Sequence, residues 1–165
     1  MSIQTTLSNQ YPNARYSFDT NVYISIWRYH YPPDIFPAIY DELEKLIENG
    51  VILSTYAVRI ELEKQHDDLF DYLDEFSDLF VKPTFDEQEY VTELVNHPEL
   101  SRWGTGSSEK DYADPYVVAL AKVHDLTVVT YETGTNPNTV GKACEILDVE
   151  ICKFSEVLRN EGFSF

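Results

Sequence analysis

The chain has 165 residues, 43% of them apolar, which suits one domain with a substantial core and excludes a disordered chain. Its 12 Lys and Arg against 29 Asp and Glu leave a net charge of −17. That balance excludes binding of nucleic acid through a broad basic surface, so such a partner would need metal ions or local Lys and Arg groups.

Much of the acidity is local. From Glu61 to Glu93 there are twelve acids against Lys64 and Lys82. The run reads first as a solvated helical face, and second as a docking surface for a basic partner. Cys144 and Cys152 are the only cysteines. Their spacing gives neither a disulfide framework nor a zinc site, and buried free thiols in a reducing compartment are expected. The N-terminus lacks a signal-peptide pattern, and no apolar run reaches the roughly 18 residues of a membrane span. The expectation is a cytoplasmic protein with no membrane contact.

Residues 1–14 are polar and patternless and read as a loose tail, leaving 15–165 as a single domain. Tyr16 to Phe18 form a short strand that ends at Asp19-Thr20-Asn21. Asp19 is then an acid at the carboxyl end of a strand, or simply the cap of the next helix. Ile24 to Pro33 is aromatic, with Arg28 and His30 among the rings; it reads as a helical turn and loop. Asp34 to Asn49 is a helix with Ile35, Ile39, Leu43, Leu46 and Ile47 on one face, ended by Gly50. Val51 to Leu53 is the second strand. Ser54 caps a helix to about Gln65, on which Ala57, Val58, Glu61, Leu62 and Gln65 share a face. Glu61 therefore either needs a partner or a cation in the apolar stripe or snorkels to water at its edge. Asp68 to Phe80 and Asp86 to His97 are amphipathic helices, stopped near Pro83 and Pro98. Residues 101–110 are a flexible loop, from which Arg102, Trp103 and Lys110 could reach a substrate.

The stretch from 111 to 132 organises the rest. Pro115 suits the first helical turn, which makes Asp114 the expected cap. Val117, Val118, Leu120, Ala121 and Val123 make that helix apolar almost all round, as a helix buried on a sheet would be. Leu126 to Tyr131 is a β-branched run suited to a parallel strand covered on both faces, and Glu132 follows it. A helix of about 15 Å and a returning strand bring Asp114 and Glu132 to one edge. After a turn-rich loop come a helix (Thr139 to Leu147), a last strand (Val149 to Phe154) and a final helix (Ser155 to Glu161). Strands alternate with helices, so the class is α/β with a parallel sheet of about four strands and a helical segment inserted between the second and third.

Asp19, Asp114 and Glu132 thus belong to the carboxyl edge of the sheet, and Glu61 lies on a helix that starts there. Carboxylates brought close together repel, and their pKa values rise unless a cation is present. Hard oxygen ligands suit Mg²⁺ or Mn²⁺, which keep waters and bind substrate phosphates. Metal-assisted hydrolysis of a phosphodiester follows as the chemistry such a cluster would serve.

YSFDTNVYI, the VRIEL around Glu61, ADPYVVALA and LTVVTYE resemble, in order, the four acidic motifs of PIN-domain ribonucleases. More narrowly the chain is similar to the PIN-like DUF4411 family, from about Tyr16 to the C-terminus. The resemblance implies a three-layer α/β/α PIN-like fold and a Mg²⁺- or Mn²⁺-dependent endoribonuclease like the VapC toxins, leaving 5′-phosphate and 3′-hydroxyl ends. It also implies an antitoxin partner and a homo-oligomer, in the simplest case a dimer. Asp19, Glu61 and Asp114 match the three core acids. The fourth is usually Asp and here is Glu132. In that scheme Asp19, Asp114 and Glu132 contact metal, Glu61 completes the catalytic set, and Thr20 and Asn21 support it. Asp111 is a reserve ligand or a surface residue. Arg28, Arg102 and Lys110 are the candidate RNA contacts.

Two other classes compete. A PIN-like protein-binding module with little or no nuclease activity would use the acidic groove to hold Arg or Lys of a partner. A phosphoacceptor receiver domain also joins an acidic Mg²⁺ pocket to a parallel sheet, but needs an acid pair near the first strand and a Lys beyond the last. Phe18-Asp19-Thr20 supplies no pair, and Lys153 falls within the last strand.

Overall fold

The computed structural model describes residues 10–104 and 112–164. Among them, five strands form one sheet in which every pairing is parallel. In chain order the elements are β1 (Tyr16–Phe18), α1 (Thr20–Ser25), a π-helical turn (Ile26–His30), α2 (Pro37–Glu48), β2 (Ile52–Thr55), α3 (Tyr56–Glu63), α4 (Asp68–Asp74), β3 (Phe80–Val81), α5 (Phe85–Val95), a 3-10 turn (Pro98–Leu100), α6 (Asp114–His124), β4 (Thr127–Val129), α7 (Val140–Leu147), β5 (Ile151–Cys152) and α8 (Phe154–Asn160). The strand order is β3-β2-β1-β4-β5. The chain builds outward from β1 to β3, then returns to lay β4 on the other side of β1. That reversal opens a crevice beyond the carboxyl ends of β1 and β4, where open α/β sheets hold their ligands.

Both faces of the sheet are covered, and the alternation of β1 shows how. Ser17 is wholly buried and donates its hydroxyl to the Val117 carbonyl of α6 at 2.9 Å. Phe18 points the other way, its ring 5.4 Å from Tyr23 and 6.0 Å from Phe154. α6 packs against β1, β2, β4, α3, α5 and α7, which accounts for its apolar circumference. It ends at Asp125, whose left-handed φ of 57° reverses the chain into β4; short polar side chains tolerate that conformation.

The expected count of about four strands is corrected to five. Leu69, Leu73, Phe76 and Phe80 share a helical phase, yet α4 stops at Asp74 and Phe80–Val81 pairs with Ser54–Thr55 of β2. A two-residue strand is too short to show alternation, so the helical period claimed it. Asp114 is the first helical residue of α6, and Ala113 takes the cap position. Ser54 does not cap α3, because Thr55 stands there. Instead the Ser54 hydroxyl donates to the Phe18 carbonyl at 3.1 Å and lies 2.6 Å from the Tyr23 hydroxyl, tying β2 to β1 and α1. Residues 1–9 of the expected tail and 105–111 of the loop lie outside the described residues. Tyr11 and Ala14 pack against the core. No described helix is long and apolar enough to cross a membrane.

Candidate active site

β1 delivers Asp19 to the crevice. Its backbone is extended, with φ −79° and ψ 154°, and α1 begins at the next residue. It occupies the cap position, but its side chain makes no capping bond. The carboxylate turns inward instead and accepts the Thr130 hydroxyl on Oδ2 at 2.8 Å. Only 2% of Asp19 is exposed. Burial pushes its pKa up to about 6, against the opposing pull of Thr130 and the backbone N–H groups of Thr20 and Asn21.

Glu61 comes to the same place from α3. Its Oε1 accepts the Thr20 hydroxyl at 2.6 Å. Loss of solvent pushes its pKa up to about 7; the Asp19 charge adds to the rise, while Thr20, the Ala113 N–H and Lys64 oppose it. Of the two readings open in the sequence, the structure selects the partnered acid. Thr20 is the link, since its hydroxyl serves Glu61 while its N–H acts on Asp19. Ala113 N–H carries the chain of contacts to α6, where buried Asp114 is the next residue. Among the described residues, no Lys or Arg forms an ion pair with Asp19 or Glu61.

Glu132 is tied to this group through β4. Thr130, wholly buried just beyond that strand, accepts the Glu132 N–H at 3.0 Å on the same hydroxyl that serves Asp19. Asn21 closes the ring, donating to Thr130 Oγ1 at 3.4 Å and accepting the Tyr131 N–H at 3.3 Å. The Glu132 carbonyl accepts the Gly141 N–H at 3.0 Å. A Cβ on Gly141 would stand 2.0 Å from the Gly134 carbonyl oxygen, so the absence of a side chain lets α7 lie against the segment carrying Glu132. Thr130 was not singled out in the sequence. The signal was a hydroxyl in VVTYE, two residues before the acid, inside an otherwise apolar strand.

The structure brings Asp19 and Glu61 together through Thr20; Asp114 follows Ala113 in the chain and Glu132 reaches Thr130 by its N–H, and the four acids are not gathered into one cluster. Arg28 is engaged elsewhere, with Asp67 Oδ2 at 2.7 Å and Gln65 Oε1 at 3.0 Å. Arg102 is exposed, and its N–H donates to Asn138 Oδ1 at 2.9 Å, whereas Trp103 is buried in the core rather than set to reach a substrate. Lys110 and Asp111 lie outside the described residues. Cys144 borders the site: burial first, then the Asp19 charge, push its thiol up to about 12, so it is a neutral wall.

The oxygens fit a hard divalent cation in kind. Among the described residues no three His, Cys, Asp or Glu are grouped to hold a metal, and the assembled part is the Asp19–Glu61 pair.

A parallel five-stranded sheet flanked by helices, with acids at its switch point, defines a PIN-like fold. The chain belongs to the family described as "Domain of unknown function (DUF4411)", whose model matches residues 16–165. In the crystal structure of VapBC2 from Rickettsia felis bound to a DNA fragment from their promoter, one chain is similar to this one with a TM-score of 0.52 and 21% identity, covering 84% of this chain and 98% of that one. A chain of FitAcB from Neisseria gonorrhoeae gives a TM-score of 0.48 and 22% identity over 82% and 95% of the respective chains. No curated protein matches the sequence.

Proposed function

We propose that this protein is a Mg²⁺- or Mn²⁺-dependent endoribonuclease, acting as the toxin of a toxin–antitoxin pair. The observation that carries the reading is the placement of Asp19 and Glu61, two acids held above the ordinary carboxylate range and tied together by Thr20 at the switch point of the sheet. Ionising both at neutral pH without a cation works against their burial and mutual repulsion. Asp19 and Glu61 would hold the ion, with Asp114 and Glu132 completing the site directly or through water. A bound ion supplies neutralisation of phosphate charge and a lowered pKa for water. The chain's own residues do the positioning. Thr130 fixes the Asp19 carboxylate, Thr20 fixes Glu61, and the Gly141 contact holds the backbone of Glu132.

The toxin part rests on the fold shared with a chain of a VapBC complex. An antitoxin segment bearing Arg or Lys would pair with the same acids and block them.

The test is cleavage of a mixed pool of labelled RNAs by wild type and Asp114→Asn, with EDTA, Mg²⁺ or Mn²⁺, after removal of any copurifying protein. Metal-dependent cutting lost in the variant supports the reading. Folded wild type that never cuts, yet binds a basic partner, would favour the binding module, which the charge of −17 also fits.

A further inference from the structure

The aromatic segment after α1 is split between two fates. Ile26 is buried, and Trp27 packs edge-on against Tyr40 at 5.6 Å. Tyr31 packs against Phe36 at 5.5 Å and Phe154 at 6.0 Å. Between these anchors the Tyr31 N–H bonds back to the Ile26 carbonyl at 2.8 Å, five residues earlier, the wide turn of a π-helix. Such turns recur at functional sites because they displace side chains from the regular face. Tyr29, 73% exposed, and His30, also exposed, lie on this turn. The His30 ring stands 5.1 Å from the ring of Tyr131, tilted by 41°. Tyr131 lies between Thr130, which holds Asp19, and Glu132, and its N–H is fixed by Asn21. Through Tyr131 this aromatic pair thus sits one residue along the chain from both Thr130 and Glu132.

We infer that His30 and Tyr131 form a stacking platform for a base of single-stranded RNA, next to the phosphodiester that the acids would act on. The inference rests on the nuclease reading above. Two considerations select this occupant. Single-stranded RNA is gripped chiefly by stacking its splayed bases on aromatic rings, His included. Stacking also needs no positive charge, whereas a chain of net charge −17 has little with which to draw in a phosphate backbone. The platform thus answers how so acidic a protein holds RNA. It also predicts an affinity that does not fall as salt is raised, because salt screens the repulsion between two acidic partners.

The probe is a single-stranded RNA oligonucleotide carrying 2-aminopurine, whose fluorescence falls when the base stacks. It is titrated with Mg²⁺ into Asp19→Asn protein to prevent cutting, and KM and kcat are measured in parallel on the unsubstituted chain. His30→Ala and His30→Gln should each weaken quenching and raise KM by about five-fold or more, with kcat little changed. His30→Phe should restore both, and the affinity should not fall with added monovalent salt. Unchanged quenching and KM in the two ring-less variants, each confirmed folded by thermal melting, would overturn the platform. Quenching that depends on His30 in a protein that never cuts RNA would uphold the platform and remove the nuclease reading. A folded protein that neither quenches nor cuts removes both.

Discussion

Thr130 donates its hydroxyl to Asp19 Oδ2 at 2.8 Å, across the junction of β4 and β1. The bond lowers the pKa of a carboxylate that burial raises to about 6. Thr130→Val keeps the shape and removes the donor. The Asp19 pKa then rises further, and the acid limb of the pH–rate profile moves to higher pH. Cleavage near neutrality should fall about ten-fold or more, as for other partners that orient metal-holding groups. Thr130→Ser should keep most of it. A profile identical to wild type in Thr130→Val would deny the bond any role.

Gly141 offers a test in which the sign decides. Inside a helix, Gly→Ala ordinarily stabilises by up to about 1 kcal/mol. Here the new methyl would meet the Gly134 carbonyl at 2.0 Å. Gly141→Ala should therefore destabilise, by about 1–3 kcal/mol as overpacking does, and shift the Glu132 segment. Urea unfolding gives the sign directly, and a stabilised variant would show that the close approach does not hold in solution.

Without metal, stability should fall as pH rises. Asp19 and Glu61 have folded pKa values of about 6 and about 7, above the roughly 4 of the unfolded chain. Between those limits the folded state binds more protons than the unfolded one, so its stability is fully present below about pH 4 and is lost as pH passes through about 6 to 7. In EDTA, the melting temperature should drop from pH 5 to pH 8. Asp19→Asn should flatten the drop, which separates this effect from the general self-repulsion of a chain at −17. Mg²⁺ or Mn²⁺ at pH 8 should raise the melting temperature of wild type more than that of the variant.

The α5–α6 contact holds a buried polar pair remote from the crevice. His124 Nε2 lies 3.2 Å from Glu87 Oε2, with side chains 3% and 1% exposed. The same Glu87 oxygen accepts the Thr84 N–H at 3.1 Å and the Thr84 hydroxyl at 2.8 Å. A double-mutant cycle of His124→Leu and Glu87→Met should show a coupling of about 0.5–3 kcal/mol in urea unfolding. Additive effects would mean that the pair contributes nothing as a pair.

The helices were legible where an apolar stripe was long, as in α2, and the places of Asp19 after β1 and Glu132 beyond β4 followed from counting strands. β3 was not legible, because two residues at its place continue a helical phase. The fate of Glu61 was not legible either. Periodicity puts it on an apolar face, but only the tertiary meeting of α1 and α3 supplies Thr20 as its partner. Thr130 escaped notice for a related reason: in a buried parallel strand a Thr looks like any β-branched residue until the strand beside it is known. Arg28 reads as a candidate RNA contact among aromatics, yet Asp67, the residue that caps α4, pairs with it.

The most direct test is the rate of cleavage of one labelled RNA against Mg²⁺ concentration, for wild type and Asp19→Asn at pH 8. The account predicts a rate that saturates with Mg²⁺, vanishes in EDTA, and falls about a hundred-fold or more in the variant. Equal rates in the two proteins, or cutting that persists in EDTA, would contradict it.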